Sequence, residues 1–181
     1  MNASDPIKSS KGSCNEGAVH IWHLDEMVVT IKGERHFLWR AVDQDGFVLE
    51  VLIQKRRNTK AAKRFMRKLL SPQGCAPRVM VNDKLRSYGA AKRSIGLSVC
   101  DHRQLKGLNN RAENSHQPSR RRERVMKRFK SARHVQKFTS IHDPIYNIYY
   151  FPRNQFDAAD HRELRQAATN MWREIACLKS A

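Results

Sequence analysis

Three consecutive runs of strand-forming residues, joined by turns only a few residues long, constrain this chain more than any other feature. Residues 21–31 read Ile-Trp-His-Leu-Asp-Glu-Met-Val-Val-Thr-Ile, rich in β-branched and aromatic side chains. Lys32-Gly33-Glu34 signals a turn, and residues 36–42 (His-Phe-Leu-Trp-Arg-Ala-Val) form a second run. Asp43-Gln44-Asp45-Gly46 is the next turn, with Gly46 suited to a positive φ. Residues 47–53 (Phe-Val-Leu-Glu-Val-Leu-Ile) are the third run. Short turns between strands imply an antiparallel meander.

After the meander the hydrophobic period lengthens. Asn58 or Thr59 can cap a helix in which Ala61, Ala62, Phe65, Met66, Leu69 and Leu70 recur at helical spacing, and Ser71-Pro72-Gln73-Gly74 stops it. Residues 78–82 predict a short buried strand ending at Asp83, residues 88–93 a short helix, and residues 97–102 another strand. A polar loop at 106–109 leads into a basic helical region from about residue 110 to 139, which Pro118 is expected to kink or interrupt. A last helix is expected over about 157–177, with Leu164, Ala168, Met171, Trp172 and Ile175 on one face. The order β-β-β-α-β-α-β-α implies an α/β fold, a mixed sheet flanked by helices. By analogy that order matches the ribonuclease H-like fold.

Residues 1–19 are polar, small and without periodicity, and read as a disordered leader. The expected organisation is therefore a leader over 1–19, a core over 20–150 and a C-terminal helical tail over 151–181. No apolar run is long enough to cross a bilayer, and no secretory signal is present. Cys14, Cys75, Cys100 and Cys177 form no close pair, so neither a disulfide framework nor a zinc site is supported; scattered thiols fit a reducing cytoplasm. Lys and Arg number 35 against 17 Asp and Glu, a formal net charge of +18. The excess is densest at Arg120, Arg121, Arg122, Arg124, Lys127 and Arg128. A phosphate backbone is the natural partner of such a cluster, through counterion release. A solvated basic surface or a membrane-surface patch is the alternative.

Few acids stand in so basic a chain, and three fall at places where elements meet. Asp25 lies within the first strand, Asp83 ends the strand after the first helix, and Glu113 lies early in the basic helix. Three carboxylates gathered at one sheet edge would repel one another unless a cation neutralised them. Oxygen ligands suit Mg²⁺ or Mn²⁺, and two such ions can drive phosphodiester chemistry without a covalent protein nucleophile. Each acid also has a plainer reading: Asp25 as a strand-edge acid paired with a base, Asp83 as a turn or cap residue, Glu113 as an acid favoured by the helix dipole. Glu26, next to Asp25, is expected on the opposite face of the strand.

At these residues the chain resembles bacterial insertion-sequence transposases of the DDE class, insertion-sequence family six, with a retroviral-integrase-like catalytic core. The matching words include Trp22-His23-Leu24-Asp25-Glu26, Leu38-Trp39-Arg40-Ala41-Val42-Asp43, Asp83-Lys84-Leu85-Arg86-Ser87-Tyr88-Gly89 and Asn109-Asn110-Arg111-Ala112-Glu113-Asn114-Ser115-His116-Gln117-Pro118. They run from about residue 20 to 150. The resemblance implies that Asp25, Asp83 and Glu113 are the catalytic acids and hold two Mg²⁺ (or Mn²⁺) ions. It also implies a DNA-contacting basic residue seven positions after Glu113, here Arg120, about two helical turns on.

The implied function is cleavage of DNA and transfer of strands during transposition of an insertion sequence. The implied partners are transposon ends and target DNA, bound by a homo-oligomer in the bacterial cytoplasm at the nucleoid, with no membrane. Such proteins usually carry an N-terminal helix-turn-helix region before the core, and only about 20 unpatterned residues precede Trp22 here. The expectation is therefore a truncated chain or an internal start. Two rival readings stay open: an inactive DNA-binding remnant of a transposase, and a ribonuclease H-like nuclease. An RNA-binding reading finds no aromatic platform pattern to support it.

Overall fold

The computed structural model describes residues 20–83, 86–97, 99–104, 109–152 and 155–177. The leader expected over 1–19, and the loop expected over 106–109 apart from Asn109, lie outside the described residues.

The meander forms as the alternation requires. Strands β1 (Ile21–Ile31), β2 (Glu34–Val42) and β3 (Val48–Gln54) pair antiparallel, with Asp25 opposite Arg40 and Trp39 opposite Leu52. The first turn uses Lys32 and Gly33 at φ 50° and 83°. In the second, Gly46 takes φ 100°, and the Tyr150 hydroxyl lies 2.6 Å from where a Cβ would stand, so only glycine fits. Asp43 Oδ1 accepts from the backbone N–H groups of Asp45, Gly46 and Phe47, which locks that turn.

Helix α1 (Thr59–Gln73) starts at Asn58, whose side chain accepts from the Ala61 N–H at 3.0 Å, and ends at Gly74 in the left-handed conformation. It leads to β4 (Val79–Asn82), which lies parallel to β1 with Leu24 opposite Asn82. Helix α2 (Arg86–Ser94) then leads to β5 (Asp101–Arg103), parallel to β4. The sheet order is β3-β2-β1-β4-β5, three antiparallel strands extended by two parallel ones. The strand expected over 97–102 is thus three residues long and begins later, at Asp101.

Each sheet face carries its own core. On one, Trp22, Leu24, Trp39 and Met80 pack against Phe65, Met66 and Leu69 of α1 and Tyr88 of α2. On the other, Met27, Val29, Leu38 and Val51 pack beneath Ala112 of α3 (Asn110–Val125) and Val135 of α4 (Ala132–Ile148). The two tryptophans are core residues, 4% and 0% exposed at positions 22 and 39.

The interruption expected at Pro118 requires correction: α3 runs through it from Asn110 to Val125. The Arg40 guanidinium reaches up from β2 and donates to the Ser115 carbonyl and to Ser119 Oγ, holding α3 on both sides of the proline. The break falls after α3, where Lys127 and Arg128 adopt φ 51° and 74°, before Ser131 caps α4 through the His134 N–H. Helix α5 (Ala158–Cys177) forms as expected, but its apolar stripe is largely open: Ala168 is buried, whereas Met171 and Ile175 are exposed.

Candidate functional site

The site is built where the first turns of α3 cross β1. Asp25 stands in the middle of β1, half-buried, on the sheet face that Met27 and Val29 share with α3 and α4. Strand alternation sends the next residue, Glu26, to the other face. There it pairs with Arg57 and accepts from the Tyr88 hydroxyl at 3.2 Å, while burial raises its pKa.

Four contacts dock α3 over Asp25. The side-chain amide of Asn109, wholly buried, donates to the Leu24 carbonyl at 2.9 Å, one residue from Asp25. The Glu113 N–H bonds the Asn109 carbonyl at 3.1 Å, so Glu113 sits in the first turn above that anchor. His116 Nε2 lies 3.0 Å from Asp25 Oδ2. Arg40, across the ladder from Asp25, bonds Ser115 and Ser119 from below. Its charge is met by Asp143 of α4 at 2.9 Å. Burial lowers the Arg40 pKa, and the Asp143 carboxylate opposes that shift.

The bond between His116 and Asp25 has a definite proton. A carboxylate only accepts, so Nε2 carries the hydrogen. Burial pushes the imidazole pKa below the ordinary histidine value, against the pull of Asp25. The shift favours the neutral ring, and its buried Nδ1 has no partner among the described residues. His116 holds one oxygen of Asp25.

Asp25 and Glu113 line one cavity of about 480 Å³. Gln117, Arg120, Arg121 and Arg124 complete its α3 wall. Arg120 is also paired with Glu123 at 3.3 Å. Arg122 points to the other side of α3, and Lys127 and Arg128 lie in the turn beyond it, all three exposed. Asp83 directly follows β4, half-buried, one residue beyond the pair Leu24–Asn82. It does not line the cavity. Among the described residues no three His, Cys, Asp or Glu side chains are close enough to share one metal ion. Asp25 and Glu113 therefore share a cavity, whereas Asp83 follows the strand that pairs with β1. The donors are carboxylate oxygens beside a neutral imidazole, a set that fits a hard divalent cation.

The docking contacts of three of these residues are not read from the sequence alone. Arg40 carries a legible signal, a charge inside the apolar run Leu38-Trp39-Arg40-Ala41-Val42, which demands a buried partner. His116 lies three residues after Glu113, on the same helix face. Asn109 carries no local signal, because its bond to Leu24 spans 85 residues. His102 of β5 lies 3.2 Å from the buried Asn82 Oδ1.

A family model described as a DDE domain matches residues 19–150. The transposase for insertion sequence-like element IS431mec of Staphylococcus aureus is 30% identical over 103 residues, which cover 55% of this chain and 46% of that protein. The transposase for insertion sequence element IS257 in transposon Tn4003, also from Staphylococcus aureus, matches to the same extent. This chain thus spans about half the length of the curated relatives it matches. Among solved structures, the HTLV-2 integrase catalytic core domain in complex with magnesium superposes with a TM-score of 0.50 at 17% identity, covering 67% of this chain and 84% of that one. That likeness establishes the fold, a ribonuclease H-like mixed sheet flanked by helices.

Proposed function

This chain belongs to the DDE-domain family of insertion-sequence transposases, and from that premise we propose that it cuts DNA at the ends of an insertion sequence and transfers the freed strands to a target. One observation carries the reading: Asp25 and Glu113 face a single cavity whose α3 wall also carries Arg120, Arg121 and Arg124. Acids for a cation and bases for a phosphate backbone stand side by side, as polynucleotidyl transfer needs.

In this reading Asp25, Asp83 and Glu113 hold two Mg²⁺ or Mn²⁺ ions. When bound, such a pair activates a water for cleavage or a 3′-hydroxyl for joining and stabilises the leaving oxygen. The protein's own groups do the positioning. His116 fixes Asp25 Oδ2, so the free oxygen keeps one orientation. Asn109 sets the height of Glu113 above β1. Arg120, Arg121 and Arg124 hold the phosphodiester beside the acids, and Arg122, Lys127 and Arg128 extend the basic track. The protein acts as a homo-oligomer bridging transposon ends and target DNA at the bacterial nucleoid. Among the described residues no helix is long and apolar enough to cross a membrane.

The test compares Asp25→Asn and Asp83→Asn with the unaltered chain in a Mg²⁺-dependent strand-transfer assay on end-containing DNA. Both substitutions keep shape and remove charge. The expected outcome is transfer reduced to background with DNA affinity retained. Undiminished transfer by either variant removes that acid from the site. DNA binding without turnover by the unaltered chain, with Mg²⁺ or Mn²⁺, would establish the inactive-remnant reading instead.

A further inference from the structure

A second cavity, of about 1130 Å³, opens on the other flank of α3. Its α3 wall carries Arg111, Arg121 and Arg122, and its α4 side carries Tyr146 and Tyr149. Asp45 is the one carboxylate among its described lining residues, and it already faces the side-chain amides of Gln44 and Gln155, each at 3.4 Å. The groove is therefore electropositive and aromatic together.

The aromatic side is a stacked row. Phe138, His142, Tyr146 and Tyr150 follow one another at four-residue spacing and stack with ring centroids 4.9, 6.2 and 5.5 Å apart. Phe47 closes the end of the row edge-on against Tyr150 at 5.4 Å. Tyr149 stands outside the row. It is 40% exposed and pairs with no other ring among the described residues. The two cavities adjoin across α3, where Gln117 and Arg121 line both.

A duplex hides its base faces within its own stack, so a presented tyrosine offers it little. An acidic peptide would satisfy the arginines but has no use for the ring. Guanidinium groups for phosphates beside an unpaired aromatic face match an unpaired nucleic-acid strand, whose bases stack on aromatic side chains while its backbone follows positive charge. We propose that this groove holds an unpaired DNA strand that leaves the reaction cavity over α3, with a base on Tyr149 and phosphates on Arg111, Arg121 and Arg122. This rests on the DNA-processing reading above, and it adds a subsite that accepts single-stranded but not duplex DNA.

The test measures binding by fluorescence anisotropy in EDTA, with the full chain and two probes, a blunt duplex and the same duplex with a short single-stranded tail. The tailed probe is expected to bind more tightly. Tyr149→Ala should weaken its binding about fivefold or more, the lower end of what one base stacked on a side chain contributes. Tyr149→Phe should retain the preference, and blunt-duplex affinity should be unchanged in both. A tail that adds no affinity, or a Tyr149→Ala variant that binds the tailed probe like the unaltered chain, overturns the proposal. So does polyglutamate that competes for the tail as well as single-stranded DNA of equal charge. Binding in EDTA is independent of strand transfer. Lost transfer with the tail preference intact would sink the catalytic reading alone, and the reverse pattern would sink the groove alone.

Discussion

The carboxylate of Asp25 takes its hydrogen bond from a buried imidazole, His116, at 3.0 Å. Partners of this kind orient a ligand that would otherwise rotate, and losing one commonly costs about 10–100-fold in metal affinity or activity. His116→Ala should therefore raise the Mg²⁺ concentration needed for half-maximal strand transfer by about that factor. His116→Gln, which keeps a donor, should recover part of the loss, and DNA affinity should not change. An unaltered metal requirement in His116→Ala would reduce His116 to a packing residue. Its place on the Glu113 face of a helix was legible, since three residues separate the two. Its bond to Asp25 was not, because the partner lies 91 residues away and the contact exists only once α3 is docked on β1. Glu26 illustrates the opposite case. Strand alternation alone placed it on the far face, and there it pairs with Arg57.

At the scale of elements, the site depends on β2, α3 and α4 meeting at one buried ion pair. Arg40 is 1% exposed and bonds Ser115 and Ser119 of α3 and Asp143 of α4. Removing one partner of such a pair strands a charge in the core. Asp143→Ala should cost about 3–5 kcal/mol of stability, read as the shift of a urea unfolding curve. Replacing both, Arg40→Met with Asp143→Leu, should recover much of that cost, since apolar substitutes of similar size restore packing. A loss below about 1 kcal/mol for Asp143→Ala, the range of exposed pairs, would show that the pair does not hold the helices. The elements themselves were largely legible. The three strands follow the alternation, and α1 follows its cap and its period. Pro118 misled because its local cost is real but is overridden by the contacts on either side of it. The true break, at Lys127 and Arg128, carries no glycine or proline to announce it.

Across the whole molecule, the candidate catalytic acids come from the centre of β1, the end of β4 and the first turn of α3. Asp83 and Glu113 were legible as acids at element ends and Asp25 as an acid inside a strand, in a chain of net charge +18. The assembly was not, because it needs β4 to insert beside β1 in parallel and α3 to cross the opposite flank of the same strand. Sheet order β3-β2-β1-β4-β5 puts β4 beside β1, and the bonds of Asn109 and Arg40 dock α3 on the sheet. The central claim is spatial, that Asp25, Asp83 and Glu113 serve one cation centre. Crystals soaked in Mn²⁺ and measured at the manganese absorption edge test it most directly. The account predicts anomalous density within coordinating distance of Asp25 and at least one of the other two acids, and no such density in Asp25→Asn crystals. Manganese bound elsewhere, with the cavity between β1 and α3 holding only water, would contradict it.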